Sequence, residues 1–155
     1  MAQGQQPISF RGGCLCGAVR FESRAAAQLV GHCYCTDCRR SSGTAHSTHV
    51  AVPEAALTIT GEPTFYDRAA DSGNLVSRGF CGTCGSPLLS RNAAMPGMVF
   101  VRASALDDPE IARPQMIVYA SRAPSWDRPD PTLPAFATMP EGGAGEAVRR
   151  SGGPR

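Results

Sequence analysis

Lysine is missing from this chain of 155 residues: all 15 basic side chains are arginine, a bias we read as the coding habit of a GC-rich genome rather than as function. Net charge is scarce too. Thirteen acidic residues leave a formal charge of +2, which gives no electrostatic case for nucleic acid or a membrane surface. Aromatic residues make up 6% and do not cluster, which also counts against nucleic acid as a partner. No apolar run reaches the length needed to cross a bilayer, so no membrane association is expected. The opening Met1-Ala2-Gln3-Gly4-Gln5-Gln6-Pro7 has neither a basic start nor an apolar stretch and does not read as a signal peptide. The expected compartment is the cytoplasm, where thiols stay reduced.

Turn-forming residues and short apolar runs are what the chain does have. Seventeen glycines and 13 prolines punctuate it, and nothing sustains a 3.6-residue period for more than about two turns. Val19 and Phe21 alternate with Arg20 and Glu22 as in a half-buried strand. A short strand starts at Leu29-Val30. Residues 44–52 read as another, with His46, Thr48, Val50 and Val52 on one face. A helical turn at 53–56 leads to a strand at 57–60. Residues 64–67 and 75–80 pair through a hairpin turn at 71–74. Residues 98–101 and 115–119 are expected as buried strands, with a polar loop at 104–109 between them. The expectation is one all-β domain of short antiparallel strands over residues 10–139, with a flexible lead at 1–9 and a disordered tail at 140–155.

Seven cysteines stand in this frame, and an odd number in a reducing compartment argues for metal ligation over disulfides. They fall as Cys14-x-Cys16, then Cys33-x-Cys35-x-x-Cys38, then Cys81-x-x-Cys84. Two residues between Cys81 and Cys84 let both sulfurs reach one tetrahedral ion, and Gly85 lets the backbone turn back over them. Structural zinc takes four ligands, and Cys14 with Cys16 is the natural second pair. Cys33, Cys35 and Cys38 are left, one short of a closed site. Three protein ligands with an open fourth position is the layout of a reactive zinc. Three anionic sulfurs make a poor generator of hydroxide but suit a fourth thiolate from a small-molecule thiol. A closed site with His32, Asp37, His46 or His49 as fourth ligand stays open on sequence, as does a grouping of Cys14 and Cys16 with the trio.

On these residues the chain resembles the glutathione-dependent formaldehyde-activating enzyme family, also grouped with centromere protein V. The resemblance is carried by Gly13-Cys14-Leu15-Cys16-Gly17-Ala18-Val19-Arg20-Phe21, by Cys33 to Cys38 with Arg39-Arg40-Ser41-Ser42-Gly43 after it, and by Gly79-Phe80-Cys81-Gly82-Thr83-Cys84-Gly85-Ser86-Pro87-Leu88. It implies a zinc-stabilised β-tent fold with two Zn(2+) per chain. A structural zinc would sit on Cys14, Cys16, Cys81 and Cys84, and a catalytic zinc on Cys33, Cys35 and Cys38. The implied reaction joins a small thiol to an aldehyde, with glutathione as co-substrate and formaldehyde as acceptor. Run backward, it is a carbon–sulfur lyase.

Other residues divide between function and plain structure. Arg39 and Arg40 suit a carboxylate of a peptide thiol, held through paired hydrogen bonds. Ser42 and Gly43 are placed to line the open site, although turn chemistry alone explains them. His32 and His46 are candidates for a proton relay, but satisfied strand histidines are the commoner outcome. Trp126 reads as a packing residue. The rival to an enzyme is a non-catalytic zinc β-tent module that binds a protein or nucleic-acid partner.

Overall fold

Short runs of three to seven residues, many of them cut short by glycine, proline or a polar turn, become strands. The computed structural model describes Gly4, residues 6–143 and residues 145–146. In chain order the strands are β1 (Phe10–Gly13), β2 (Arg20–Ser23), β3 (Leu29–Cys33), β4 (Ser47–Pro53), β5 (Leu57–Thr60), β6 (Thr64–Ala69), β7 (Leu75–Phe80), β8 (Pro87–Asn92), β9 (Met98–Arg102) and β10 (Met116–Val118). A five-residue helix, α1 (Thr36–Arg40), and short 3-10 turns stand among these strands. The protein is all-β. Parts of the expected lead and tail fall on residues 1–3, 5, 144 and 147–155, which lie outside the described residues. No described helix is long and apolar enough to cross a membrane.

The chain forms two compact units. The first takes residues 1–28 and 51–111. In it β1, β2 and β5 make an antiparallel sheet in that order, and β9, β8, β7 and β6 follow one another as antiparallel neighbours. Val19, Phe21, Leu88, Leu89, Val99 and Val101 are sealed in its core. Each such side chain contributes about 1.5–3 kcal/mol by leaving water. Gly12 decides how closely β1 packs. A Cβ there would stand 2.2 Å from the Ala105 carbonyl oxygen and 2.4 Å from the Phe21 ring, so no larger residue fits.

The second unit takes residues 29–50 and 112–155. Its strands lie in the order β10-β3-β4, and β10 runs parallel to β3 with Ile117 opposite His32 and Val118 opposite Cys33. Alternation then sends Cys33, Met116 and Val118 to one face and His32 and Ile117 to the other. Two small cores follow from that parity. Cys33, Cys38, Met116 and Val118 form one, and Tyr34, Ala45 and Ile117 the other.

Several elements depart from the sequence expectation. The β3–β10 pair is parallel, so the strands are mixed rather than purely antiparallel. β1 and β8 were not expected: β1 ends on two glycines, and β8 opens on a proline and buries Leu88, Leu89 and Ser90 in succession, which hides the two-residue period. Residues 104–109 are not a purely polar loop. A 3-10 turn at Ala103–Ala105 buries Ala105, and Leu106 bridges back to Gly12.

Candidate metal centres

In the first unit the β1–β2 hairpin carries one pair of sulfurs. Cys14 donates its N–H to the Val19 carbonyl at 3.0 Å, and the Val19 N–H donates to the Cys14 sulfur at 3.2 Å. The second pair sits in the turn after β7. Gly85 takes φ +77° and donates its N–H to the Cys81 carbonyl at 2.8 Å, folding Cys81-Gly82-Thr83-Cys84 so that both sulfurs point one way. All four sulfurs lie within 4.8 Å of one another. Cys14 and Cys16 sulfurs are 3.7 Å apart, and Cys16 and Cys81 sulfurs 3.8 Å. Two sulfurs bound to one tetrahedral zinc at 2.3 Å are separated by about 3.8 Å, so this donor set fits zinc.

The four thiols do not behave alike. Hydrogen bonds from Ser86, side chain first and then backbone, pull Cys84 down to about 5. A backbone hydrogen bond from Val19 lowers Cys14. A backbone bond from Ala18 lowers Cys16, but burial and the three neighbouring sulfurs outweigh it and push the thiol up to about 11.

In the second unit, β3 ends on Cys33 and the chain turns at once into α1. Cys35 caps that helix: its sulfur accepts the Cys38 N–H at 3.3 Å, and its carbonyl accepts the Arg39 N–H at 2.9 Å. Strand end, cap and first turn thus bring Cys33, Cys35 and Cys38 sulfurs within 4.8 Å of one another. No fourth cysteine, histidine or carboxylate among the described residues joins that set. Leu29, Tyr119 and Phe136 pack against the group and thin the water around it. Shared hydrogen bonds with Cys35 and then Cys38, followed by burial, hold the Cys33 thiol far above its ordinary range. A bound cation reverses that preference. All seven cysteines are free thiols.

The three histidines separate by face. His32 Nδ1 meets Thr48 Oγ1 at 2.7 Å. His46 Nδ1 meets Asp127 Oδ2 at 2.6 Å, and the Tyr34 hydroxyl donates to Asp127 Oδ1 at 3.1 Å. Burial, then Asp127, pushes the Tyr34 phenol up to about 12, while burial and then His46 lower His32. These groups lie on the Ile117 face, away from the trio, and both histidines have side-chain partners there, His32 from within β3 and His46 from just before β4. His49 points the other way, its Nε2 3.5 Å from the Cys38 sulfur.

Arg39 and Arg40 are exposed at the end of α1. Ser42 spends its hydroxyl on the Arg39 and Thr44 carbonyls, and Gly43 takes φ +89° in the same turn. Trp126 corrects the sequence reading: it is 72% exposed, and its neighbour Asp127 makes the internal contacts instead. Tyr119 was not singled out by sequence. It packs against both small cores of this unit from a left-handed backbone, φ +55°, which costs a non-glycine residue about 1–3 kcal/mol.

An all-β chain with one group of four thiols and one of three, each able to hold a metal ion, is a cysteine-rich metal-site protein. The family described as glutathione-dependent formaldehyde-activating enzyme matches residues 9–122, which include all seven cysteines, and the chain belongs to that family. No curated protein matches it. Among solved structures, a Rhodobacter sphaeroides protein is similar over 63% of this chain and 87% of its own, with 23% identity and a TM-score of 0.48.

Proposed function

We propose that the protein is a cytoplasmic zinc enzyme that joins a small thiol such as glutathione to formaldehyde or a related aldehyde, and cleaves the same carbon–sulfur bond in reverse. Cys14, Cys16, Cys81 and Cys84 hold a structural ion. The reading rests above all on the three-sulfur group of Cys33, Cys35 and Cys38, which no fourth described ligand closes. When bound there, zinc keeps an added thiol ionised near neutral pH.

The chain's own residues do the rest. Cys33, Cys35 and Cys38 fix the place where the substrate sulfur waits, on a strand end and a helix turn that leave little freedom. Leu29, Tyr119 and Phe136 limit water, which would compete with the thiol for the carbonyl carbon. Arg39, beside the turn of Ser42 and Gly43, anchors a carboxylate of the thiol. The sulfur's electron pair forms the new C–S bond, the C=O π pair moves to oxygen, and that oxygen takes up a proton from solvent.

The test is Cys35→Ser, a one-atom change at a half-buried helix cap. Formation of the glutathione–formaldehyde adduct, followed by NMR exchange above the spontaneous rate, is expected to fall to background while the β-rich circular dichroism persists. Full activity in that variant sinks the proposal. Folded protein with two tight metal ions and no response to thiol would instead mark a binding module.

A further inference from the structure

Of three histidines, one alone shares a face with the thiolate trio. β4 alternates, so Thr48 turns toward His32 and His49 turns toward Cys38. His49 Nε2 stands 3.5 Å from the Cys38 sulfur, an ordinary length for an N–H···S bond. Yet the ligand atoms that lie within 4.8 Å of one another are three sulfurs and no imidazole. His49 therefore touches one corner of the centre without completing it.

We propose that His49 is the positioning residue of this centre: it donates Nε2–H to the Cys38 sulfur and so leaves the fourth position to an incoming thiol. The inference rests on the open three-cysteine reading above and deepens it. A thiolate that accepts a hydrogen bond gives up part of its charge. Three unrelieved thiolates would crowd negative charge around the place where a fourth must enter. The bond to Cys38 eases that crowding at the one sulfur carried by the helix, and it fixes the Cys38 rotamer, since β4 is a rigid neighbour. Groups outside the ligand set that orient ligands in this way typically change metal affinity by roughly 10- to 100-fold when removed. The other two imidazoles cannot substitute, being held by Thr48 and Asp127 on the opposite face.

The experiment loads the full chain with cobalt(II) and compares wild type, His49→Phe and His49→Gln. Phe fills the space without a donor; Gln restores an N–H near the position of Nε2. The four-cysteine centre is common to all three, so difference spectra isolate the trio. His49→Phe is expected to move the sulfur-to-cobalt charge-transfer band to lower energy and to weaken cobalt binding at the trio by roughly 10-fold or more. His49→Gln is expected to return both toward wild type. X-ray absorption of the zinc-loaded wild type is expected to show no imidazole outer-shell scattering. Imidazole scattering that disappears in His49→Gln would overturn the proposal, because His49 would then be a ligand. Equal spectra and affinities in wild type and His49→Phe would overturn it too. Adding glutathione separates the two levels: if the trio does not take thiols, the cobalt spectrum stays unmoved in every chain, while the His49→Phe difference persists.

Discussion

Removing one exposed sulfur from the four-cysteine group should loosen the first unit far more than its contacts suggest. Cys16 is the choice, because it is exposed and its loss opens no core cavity, whereas Cys14 and Cys81 are buried. An ion held there ties together residues 65 positions apart. Treated as a cross-link, closing a loop of that length removes about 4 kcal/mol of conformational freedom from the unfolded chain. For a chain of this size each kcal/mol moves the melting point by about 2–4 °C, so Cys16→Ala should lower it by roughly 8–16 °C. Metal carried by the unfolded chain would shrink that figure. The assay is thermal unfolding by circular dichroism of wild type, chelated wild type and Cys16→Ala, all under reductant. With three sulfurs left, the variant should give up that ion to a mild chelator that leaves the wild-type four-cysteine group loaded, and its melting point is read after that treatment. A variant that melts within about 2 °C of metal-loaded wild type would refute the cross-link.

Two further outcomes follow from the same geometry. In the metal-free chain at pH 7, Cys84 near 5 is ionised and Cys16 near 11 is a thiolate in about one molecule in ten thousand. The stronger nucleophilicity of the high-pKa thiolate returns only part of that difference, so an aromatic disulfide should label Cys84 faster, although Cys16 is the more exposed. Faster labelling of Cys16 by peptide mass spectrometry would contradict this. The depressed Cys84 pKa also stabilises the metal-free fold above the ordinary thiol range, and that contribution is lost as pH falls through about 5. In the second unit, Asp127→Ala deprives both Tyr34 and His46 of their acceptor and should cost about 3 kcal/mol, read as a lower midpoint in urea. Asp127→Asn, which keeps an oxygen for Tyr34, should cost less.

What could be read from the residues followed from short-range chemistry. C-x-C and C-x-x-C spacings fix which sulfurs can meet, and a run such as Leu57–Thr60 announces itself by alternation. Helix α1 did not, because five residues are too few for a period to emerge. β1 was hidden by Gly12 and Gly13, whose role is to let Ala105 and Phe21 approach rather than to favour a strand. Long-range pairings were out of reach for another reason. Asp127 meets Tyr34 and His46 across 93 and 81 positions, and nothing local to Asp127 marks those partners. His49 was one of four named candidates for a fourth ligand; only the parity of β4 and the 3.5 Å approach to Cys38 separate it from His32 and His46.

The most direct test of the account is metal content per chain by elemental analysis, on protein purified under reductant, before and after excess glutathione and a mild chelator. Two zincs are expected, one of them inert and the other labile and altered by the thiol. A single zinc, or two that neither glutathione nor the chelator disturbs, would contradict the open three-cysteine centre on which the proposed chemistry depends.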